Sequence, residues 1–383
     1  MIRIANVIEE GKLGGPQLRM VRIAAALRSQ AETLIVMPQA NSESFRVLCD
    51  ENSVPWRALS LTRITKEWRV ALAYCFFSPI EVLQLTTLLR RERVDLVHAS
   101  GGSWQYKAVL AAKLARVPVI WHLNDTQIPN WLRRLFRLVQ PLADGFMFSS
   151  QRTRDYYTPL ISGNRPQAIV FPPTDTKHFD PGMPIVQSNL FSNSWLDKTI
   201  VGTVANINPI KGLETFIKAM SIVKKIYHDT AIVIIGSVFS NQESYFSSLK
   251  SLANEVGLSE SDIFFTGGVS DVRSILSRLD VYVCSSRAEG WGMSLWEAMA
   301  MACPVVSTDV GDIAHYVVDG KRGFIVPVDD AETMADRIGK LLGVPTLRAN
   351  MGTAARDAVL DAFTPKVIAE KTLEFYNRCA CLH

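Results

Sequence analysis

Short apolar runs alternate with amphipathic stretches along the first half of the chain. The stretches repeat their apolar positions every three to four residues and predict helices, whereas the runs predict strands. The predicted strands are Arg3–Ile8, Thr33–Met37, Asp95–His98, Val117–Leu123 and Gly145–Ser149. Strands that alternate with helices are typical of βαβ units, so we predict an α/β domain built on a parallel sheet.

The second half repeats this organisation without repeating the sequence. Its predicted strands are Thr199–Val204, Ala231–Ile235, Ile263–Thr266, Val281–Cys284, Val305–Thr308 and Gly323–Val326. The intervening residues 161–198 contain five prolines and are interpreted as a connection. We therefore predict two Rossmann-like domains, over residues 1–180 and 181–363. We expect segment 364–383 to form a helix, Val367–Cys379 at its centre, that packs back on the first domain.

Composition supports a folded protein and adds one asymmetry. The chain has 383 residues, 48% hydrophobic and 20% charged, which is typical of globular domains. Residues 1–180 carry 23 Lys and Arg against 15 Asp and Glu, a net charge of +8, and the remainder carries 18 against 22, a net charge of −4. The basic half suits an anionic acceptor or an anionic surface.

Two further observations concern location. The first residues lack the pattern of a secretory signal, and the longest apolar window, Val70–Ile80, is shorter than the ~20 residues that a spanning helix needs. We expect a cytoplasmic protein without a transmembrane helix.

The most informative motif follows the predicted strand that ends at Cys284. A loop there carries Glu289-Gly-Trp-Gly, and a helix is predicted to begin near Met293. The first N–H groups of a helix have no partner within it and attract phosphate. Acidic residues are common near helix N-termini for electrostatic reasons alone. That explains one glutamate, but not Glu289 and Glu297 together with two glycines.

This motif resembles the signature of retaining glycosyltransferases of family 4, in which seven residues separate two glutamates. The stretches from Pro304 to Gly311 and from Asp319 to Pro327 continue the resemblance. It implies the GT-B fold, with two Rossmann-like domains facing each other across a cleft, and a UDP- or GDP-sugar as donor. It also implies that His122, Glu289 and Lys211 are catalytic. The residues expected to bind the donor are Gly15, Asn206, Lys211, Gly290, Trp291, Gly292, Met293, Ser294, Leu295 and Glu297.

Lys211 follows the strand Thr199–Val204, near the start of a helix. Its ammonium could neutralise a departing diphosphate, although a single lysine is usually a solvated surface residue. The family has an Arg and a Lys here, and the Arg position holds the uncharged Asn206. Because this position carries no charge, we expect Lys211 and backbone N–H groups to compensate the charge of the diphosphate. Arg273 is a further candidate cation.

Two features of the first half point to the same site. Gly14 and Gly15 form a glycine loop before a helix that carries Arg19, but the loop is not the dinucleotide-binding fingerprint. His122 ends a strand, where a lone histidine is more often structural; the resemblance places it against the transferred sugar. Asp125 is a weaker candidate, and His98 is interpreted as structural.

Two basic stretches, Trp131–Arg137 and Arg63–Arg69, mix aromatic residues with cations. They could lie on an anionic membrane that holds a lipid-linked acceptor, or they could be ordinary helices with a solvated basic face. Both interpretations remain open from the sequence. A nucleic-acid partner is not expected.

The predicted activity is retaining transfer of a hexosyl or N-acetylhexosaminyl group from a nucleoside diphosphate sugar to a hydroxyl acceptor, in polysaccharide or glycolipid synthesis. No metal-binding D-x-D pattern occurs, so we expect neither a metal nor a cofactor. The alternatives are a nucleotide-sugar 2-epimerase or a phosphorylase of the same fold, a nicotinamide-dependent oxidoreductase, and a binding subunit that has lost catalysis.

Overall fold

The computed structural model describes residues 1–64, 68–126, 128–184, 195 and 198–381, and divides the chain into two compact units. Unit 1 comprises Met1–Pro173 and Pro365–His383, and unit 2 comprises Thr174–Thr364. The predicted domain bound at residue 180 therefore falls inside unit 2, where the Thr174 N–H donates to the Phe363 carbonyl at 2.8 Å. The expectation that the two units face each other across a cleft stays a prediction.

Unit 1 contains a parallel sheet of seven strands in the order β3-β2-β1-β4-β5-β6-β7. The strands are β1 Ile2–Val7, β2 Ala31–Pro38, β3 Trp56–Leu59, β4 Leu96–Ala99, β5 Val119–Leu123, β6 Gly145–Phe148 and β7 Gln167–Ile169. Its helices are α1 Gly15–Leu27, α2 Glu43–Glu51, α3 Trp68–Arg91, α4 Lys107–Ala115, α5 Asn130–Val139 and α6 Gln151–Tyr157, together with the C-terminal α14 Pro365–Ala380.

Unit 2 contains a parallel sheet of six strands in the order β10-β9-β8-β11-β12-β13. The strands are β8 Thr199–Val204, β9 Thr230–Ile235, β10 Ile263–Gly267, β11 Val281–Cys284, β12 Val305–Thr308 and β13 Phe324–Val326. The helices are α7 Leu213–Lys224, α8 Glu243–Glu255, α9 Arg273–Leu276, α10 Met293–Ala300, α11 Ile313–Tyr316, α12 Ala331–Gly343 and α13 Pro345–Ala362.

Both faces of the sheet in unit 1 are covered, which explains why its central strands are apolar runs without alternation. Every residue of β4 and β5 is buried. One face packs on α3, α4 and α5, and the other packs on α1 and α14. The sequence pattern of these strands thus reflects burial on two sides.

In each sheet the strand order reverses once, between β1 and β4 in unit 1 and between β8 and β11 in unit 2. Ligands of open α/β sheets bind beyond the carboxyl ends of the strands at such a reversal. We therefore expect ligand-binding residues in the loops that follow β8 and β11, and at the carboxyl ends of β1, β4 and β5.

Three elements differ from the sequence-based expectation. The strands β3 and β7 were not predicted, and β7 lies within the stretch interpreted as a connection. Both are edge strands of three or four residues whose side chains are mostly half-buried, so they leave no apolar run. The amphipathic stretch Pro79–Arg93, whose apolar spacing predicts a helix, belongs to a longer helix that begins at Trp68 and continues through Pro79 to Arg91.

A helix that crosses a membrane must be long and apolar over its whole span. Over the described ranges, with their gaps at 65–67, 127, 185–194, 196–197 and 382–383, no helix is both long and apolar enough to cross a membrane. The basic stretch Arg63–Arg69 falls partly outside the described residues, and Trp131–Arg137 lies within α5.

Candidate active site

The loops that follow β8 and β11 meet through Lys211 and Glu289. The Lys211 Nζ donates to Glu289 Oε1 at 2.7 Å, and the Ser286 hydroxyl donates to the same oxygen at 2.7 Å. The two charged side chains are largely shielded, with 27% and 12% of their surfaces exposed. Two residues that the sequence predicts to be catalytic are therefore in direct contact, 78 positions apart in the chain.

Arg287, in the loop that follows β11, connects this loop to the loop that follows β8 through hydrogen bonds. Its N–H donates to the Ile210 carbonyl at 2.8 Å, and its Nη1 donates to the Pro209 carbonyl at 2.6 Å. Its Nε donates to Asp329 Oδ1 at 2.9 Å, and the Asp329 and Glu214 carboxylates raise the pKa of the guanidinium. Arg287 holds Lys211 in position beside Glu289, a role that sequence reasoning missed because no local pattern marks it.

Gly212 makes this close approach possible. Its φ is +57°, in the left-handed region, and a Cβ there would lie 2.2 Å from the Ser285 carbonyl oxygen. The Ser285 hydroxyl in turn donates to the Lys211 carbonyl at 2.9 Å. Only glycine fits both the conformation and the space.

The helix α10 begins beside this pair of loops. Gly292 precedes the helix with φ +69°, and Met293 and Ser294 are its first residues, both half-buried. The buried Tyr282 hydroxyl donates to Ser294 Oγ at 2.9 Å and fixes that side chain. Gly290 has no heavy atom within 4 Å of the place a Cβ would take. The predicted motif thus has the strand, loop and helix that anion binding requires.

Two residues of the predicted donor set do not fit that role. Leu295 is fully buried, and its N–H donates to the Gly292 carbonyl at 3.0 Å, so neither its side chain nor its N–H is open to a ligand. Trp291 has only 7% of its surface exposed and stacks on Trp296 with ring centroids 4.9 Å apart. Its side chain belongs to an aromatic cluster with Phe363, far away in the sequence.

The remaining predicted groups of unit 2 are placed as follows. Glu297 lies half-buried in the second turn of α10. Asn206 is exposed beyond β8, and its Oδ1 accepts a hydrogen bond from the Ser237 N–H at 3.3 Å. Arg273 donates through Nε to Asp271 Oδ1 at 2.9 Å, so an acidic neighbour already compensates its charge.

In unit 1, His122 is the penultimate residue of β5 and is 4% exposed. Its ring centroid lies 5.2 Å from that of His98, which also ends a strand. Burial lowers the pKa of both rings well below the usual range, with Arg19 as a further cause. Gly15, the first residue of α1, is exposed, and nothing lies within 4 Å of a Cβ placed there.

Two other side chains near these strands are explained by hydrogen bonds within unit 1. Asp125 accepts hydrogen bonds from the Tyr157 hydroxyl at 2.5 Å and from the Ser103 hydroxyl at 3.0 Å. His98 Nδ1 lies 2.5 Å from the hydroxyl of Tyr376 in α14. Tyr376 was missed by sequence reasoning, since 278 positions separate it from its partner.

Comparisons with known proteins place the chain among glycosyltransferases. The family profile "Glycosyl transferases group 1" matches residues 187–358, and the profile "Glycosyl transferase 4-like domain" matches residues 14–174. A lipopolysaccharide core biosynthesis mannosyltransferase of Rhizobium leguminosarum bv. viciae is 27% identical over 255 residues, 62% of this chain and 71% of the relative. A GDP-mannose-dependent α-(1-6)-phosphatidylinositol monomannoside mannosyltransferase of Mycolicibacterium smegmatis is 28% identical over 239 residues, 60% of this chain and 61% of the relative.

Solved structures match nearly the whole chain. A glycosyltransferase from Rickettsia africae superimposes with a TM-score of 0.81 at 18% identity, covering 99% of this chain and 98% of the other. The Anabaena protein HepE, whose structure contains UDP and glucose, gives a TM-score of 0.77 at 18% identity, covering 99% of this chain and all of the other. At this level of identity the likeness concerns the fold, and it confirms the predicted GT-B class.

Proposed function

Because the chain belongs to the glycosyl transferases of group 1, we propose that it moves a sugar from a nucleoside diphosphate donor to a hydroxyl acceptor with retention of configuration. The observation that carries this proposal is the 2.7 Å contact between Lys211 and Glu289 beside the N-terminus of α10. A cation, a carboxylate and free helix N–H groups together suit a sugar diphosphate. Relatives named for lipopolysaccharide and capsular polysaccharide synthesis support a product of that class.

Each group has a distinct proposed role. The N-terminus of α10 binds the diphosphate, and Lys211 stabilises the negative charge that develops as the diphosphate leaves. Glu289 orients Lys211 and accepts hydrogen bonds from hydroxyls of the transferred sugar. Glu297 accepts hydrogen bonds from the ribose hydroxyls, and His122 contacts the sugar.

Retention requires that the acceptor attack the face of the sugar from which the diphosphate departs. We propose that a departing phosphate oxygen takes the acceptor proton, and that no metal is needed. Transfer measured with EDTA in excess over any contaminating metal ion should proceed at the untreated rate. Loss of activity that added Mg²⁺ or Mn²⁺ restores would contradict the metal-free proposal.

The donor can be identified by thermal shift. UDP, GDP and their hexose and N-acetylhexosamine derivatives are compared on the wild type and on Glu297→Ala. A ligand at ~100 times its dissociation constant stabilises the folded protein by about 2.7 kcal/mol, a readable shift. We expect a shift with nucleotides of one base, and its loss in Glu297→Ala. The absence of a shift with every nucleotide would overturn the proposed donor class.

A product assay separates transfer from the two alternatives of the same fold. Transfer requires an acceptor and yields free nucleoside diphosphate together with a glycosylated product. A 2-epimerase would convert the nucleotide sugar without an acceptor, and a phosphorylase would require inorganic phosphate. Retention is then checked by the anomeric configuration of the new bond.

We further propose that the acceptor is lipid-linked and that unit 1 contacts the inner face of an anionic membrane. Phe76, Ile80 and Leu83 on α3 are 75%, 57% and 60% exposed. Their neighbours on α3, among them Cys75, Pro79 and Val82, line an apolar groove of about 550 Å³ between α3, α4 and α5, and α5 carries the exposed cations Arg134 and Arg137. Apolar side chains beside cations suit an anionic bilayer surface.

Vesicle flotation tests this contact. We expect the wild type to float with vesicles that contain phosphatidylglycerol, and a Phe76→Ser/Ile80→Ser variant to remain in solution. Ile226→Ser removes an apolar side chain of unit 2 that is 71% exposed, and serves as the matched control. Equal flotation of the two variants would contradict the proposed surface.

A further inference from the structure

A group of buried polar side chains lies on the face of the unit 1 sheet that α1 and α14 cover. Arg19 comes from α1, His98 from β4, His122 from β5 and Tyr376 from α14. Arg19 and His122 are 4% exposed, Tyr376 is 2% exposed and His98 is fully buried. Four separate elements thus bring one cation and two imidazoles together in a buried position.

The charge of Arg19 is not compensated by any described residue. Its Nη2 lies 3.3 Å from the sulfur of Met147, and its Nε and Nη1 are buried without a hydrogen-bond partner in the described part of the chain. No ion pair links Arg19 to a described carboxylate, although Arg3, Arg287 and Arg356 all have one. A buried guanidinium without a counter-charge is strongly unfavourable, because it loses hydration and gains nothing in return.

The two histidines do not supply the missing charge. Burial and the field of Arg19 lower the pKa of each ring, so both imidazoles are neutral at pH 7. A Tyr376 hydroxyl that donates to His98 Nδ1 leaves the ring proton on Nε2. The Nε2 atoms of His98 and His122 are both buried and lack a partner among the described side chains. The cluster therefore offers donors to an acceptor that the described chain does not provide.

We propose that Arg19, with His122, binds a negatively charged group of the substrate, a carboxylate or a phosphate. The inference rests on the proposed function, because His122 is placed there against the transferred sugar. A hexuronic acid would bring a carboxylate to this position, and a phosphorylated substrate would bring a phosphate. Either group supplies both the counter-charge and the hydrogen-bond acceptors that the cluster lacks.

The position of the cluster suits such a contact. His122 is one residue from the carboxyl end of β5, the edge at which ligands of parallel sheets bind, and Arg19 lies one turn behind the exposed Gly15. Arg19 and His122 keep a little exposed surface and His98 keeps none, so a ligand that enters the cluster would reach the first two before His98. His98 and Tyr376 support them from behind and act as positioning residues.

The first test needs no ligand. If Arg19 is kept for binding, Arg19→Met should raise the unfolding midpoint in urea, because it replaces an uncompensated buried charge by an apolar side chain of similar length. Arg356→Met is the control: it removes an arginine whose Nη2 lies 3.0 Å from Asp180 Oδ1, and should lower the midpoint. A fall of the Arg19→Met midpoint as large as that of the control would overturn the proposal.

The second test uses matched pairs of donors. UDP-glucose is compared with UDP-glucuronate, and GDP-mannose with GDP-mannuronate, for binding and for transfer by the wild type, Arg19→Met and Arg19→Lys. A carboxylate partner predicts a preference of about tenfold or more for the uronate, from one charge-assisted hydrogen bond. Arg19→Met should lose the preference, and Arg19→Lys should keep part of it.

A third arm identifies a phosphate source and separates the two proposals. Inorganic phosphate that raises the melting temperature of the wild type but not of Arg19→Met, with uronate and neutral sugars equal, supports a phosphorylated substrate. UDP or GDP that shifts both proteins equally, with neither uronate preference nor a phosphate effect, overturns the anion site and leaves the proposed function standing. The absence of any nucleotide shift in either protein overturns the proposed function instead.

Discussion

The charged groups at the loops after β8 and β11 in unit 2 differ in one respect from those under α1 and α14 in unit 1. Lys211 and Glu289 form an ion pair at 2.7 Å, and the Ser286 hydroxyl donates to the same carboxylate oxygen. Arg19 has a sulfur atom and two neutral imidazoles around it, and no described carboxylate. Glu289 thus compensates the charge of Lys211 without a ligand, whereas no described residue compensates the charge of Arg19.

This difference separates two ways of preparing a site for an anion. In the proposed reaction, the diphosphate of the donor would compete with Glu289 for Lys211, and the ion pair keeps Lys211 compensated at little cost in stability until the donor binds. In unit 1 no described carboxylate pairs with Arg19, so interactions elsewhere in the fold must offset the unfavourable free energy of its burial. Substitution of Glu289 should therefore affect mainly activity, whereas substitution of Arg19 should affect stability as well as activity.

The largest expected effect is on transfer by Glu289→Gln. The amide keeps the shape but loses the charge that orients Lys211, and kcat should fall about 10²- to 10³-fold, as when a transition-state contact is removed. Because the Lys211 side chain keeps 27% of its surface exposed and can stay hydrated without its partner, the free energy of unfolding should change by less than about 1 kcal/mol. Steady-state kinetics and urea unfolding measure the two, with the exposed Glu255→Gln on α8 as control. Normal transfer by Glu289→Gln would remove it from the catalytic set.

The next effect is the dependence of stability on pH. The pKa values of His98 and His122 are lowered in the folded chain, so below about pH 6.5 the unfolded chain binds protons that the folded chain does not. The free energy of unfolding should therefore fall as the pH drops below 6.5, by up to about 1.4 kcal/mol per pH unit for each ring.

Urea unfolding between pH 5 and 7.5 measures this slope. His98→Phe removes one of the two titrating rings and should reduce the slope by the contribution of that ring. Tyr376→Phe keeps the ring and removes only the hydroxyl that contacts it, so it should keep the slope. Equal slopes in the wild type and His98→Phe would contradict the assignment.

A smaller effect is expected from Arg287→Lys in unit 2. Lysine has a single nitrogen in place of the separate Nε and Nη1 donors that bond Asp329 and the Pro209 carbonyl, so the loop that carries Lys211 is anchored less firmly. The free energy of unfolding should fall by about 1–2 kcal/mol, with a fall in kcat/KM. Asp329→Asn leaves the bond to Pro209 and should change both quantities less. If Asp329→Asn instead lowers both quantities more than Arg287→Lys does, Arg287 acts through Asp329 alone.

The smallest effects on stability are expected at the open glycines of the two units. Gly15→Ala and Gly290→Ala meet no atom within 4 Å and should change the free energy of unfolding by less than about 0.5 kcal/mol. A fall in kcat/KM at unchanged stability would show that a ligand approaches that backbone. Gly212→Ala, which would clash with the Ser285 carbonyl, should instead destabilise unit 2 strongly. Unchanged kinetics in both variants would mean that neither backbone lies near the substrate.

Much of the fold could be predicted because central strands buried on both faces are apolar runs. The predicted bounds of β8, β11 and β12 coincide with those observed. The Glu289 and Glu297 pair could also be found, since its spacing is local in the sequence. The edge strands β3 and β7 could not, because a short half-buried strand has no distinctive pattern.

The details of the site depended on contacts that are distant in the sequence. Trp291 looks like a loop residue beside glycines, and only the fold shows that Phe363 and Trp296 bury it. Arg287 and Tyr376 act through partners 78 and 278 positions away. Such pairs leave no local signal in the sequence, so these roles could not be predicted from it.

The return of α14 to unit 1 has a consequence for the order of events during synthesis. Unit 2 is one continuous stretch, so it can fold as soon as residue 364 has left the ribosome, whereas unit 1 still lacks the helix that carries Tyr376. The domain that is translated first is thus completed last, the reverse of the usual vectorial order. Until then His98 and Arg19 remain uncovered, and a nascent chain halted before Pro365 should expose them to protease and to chaperones.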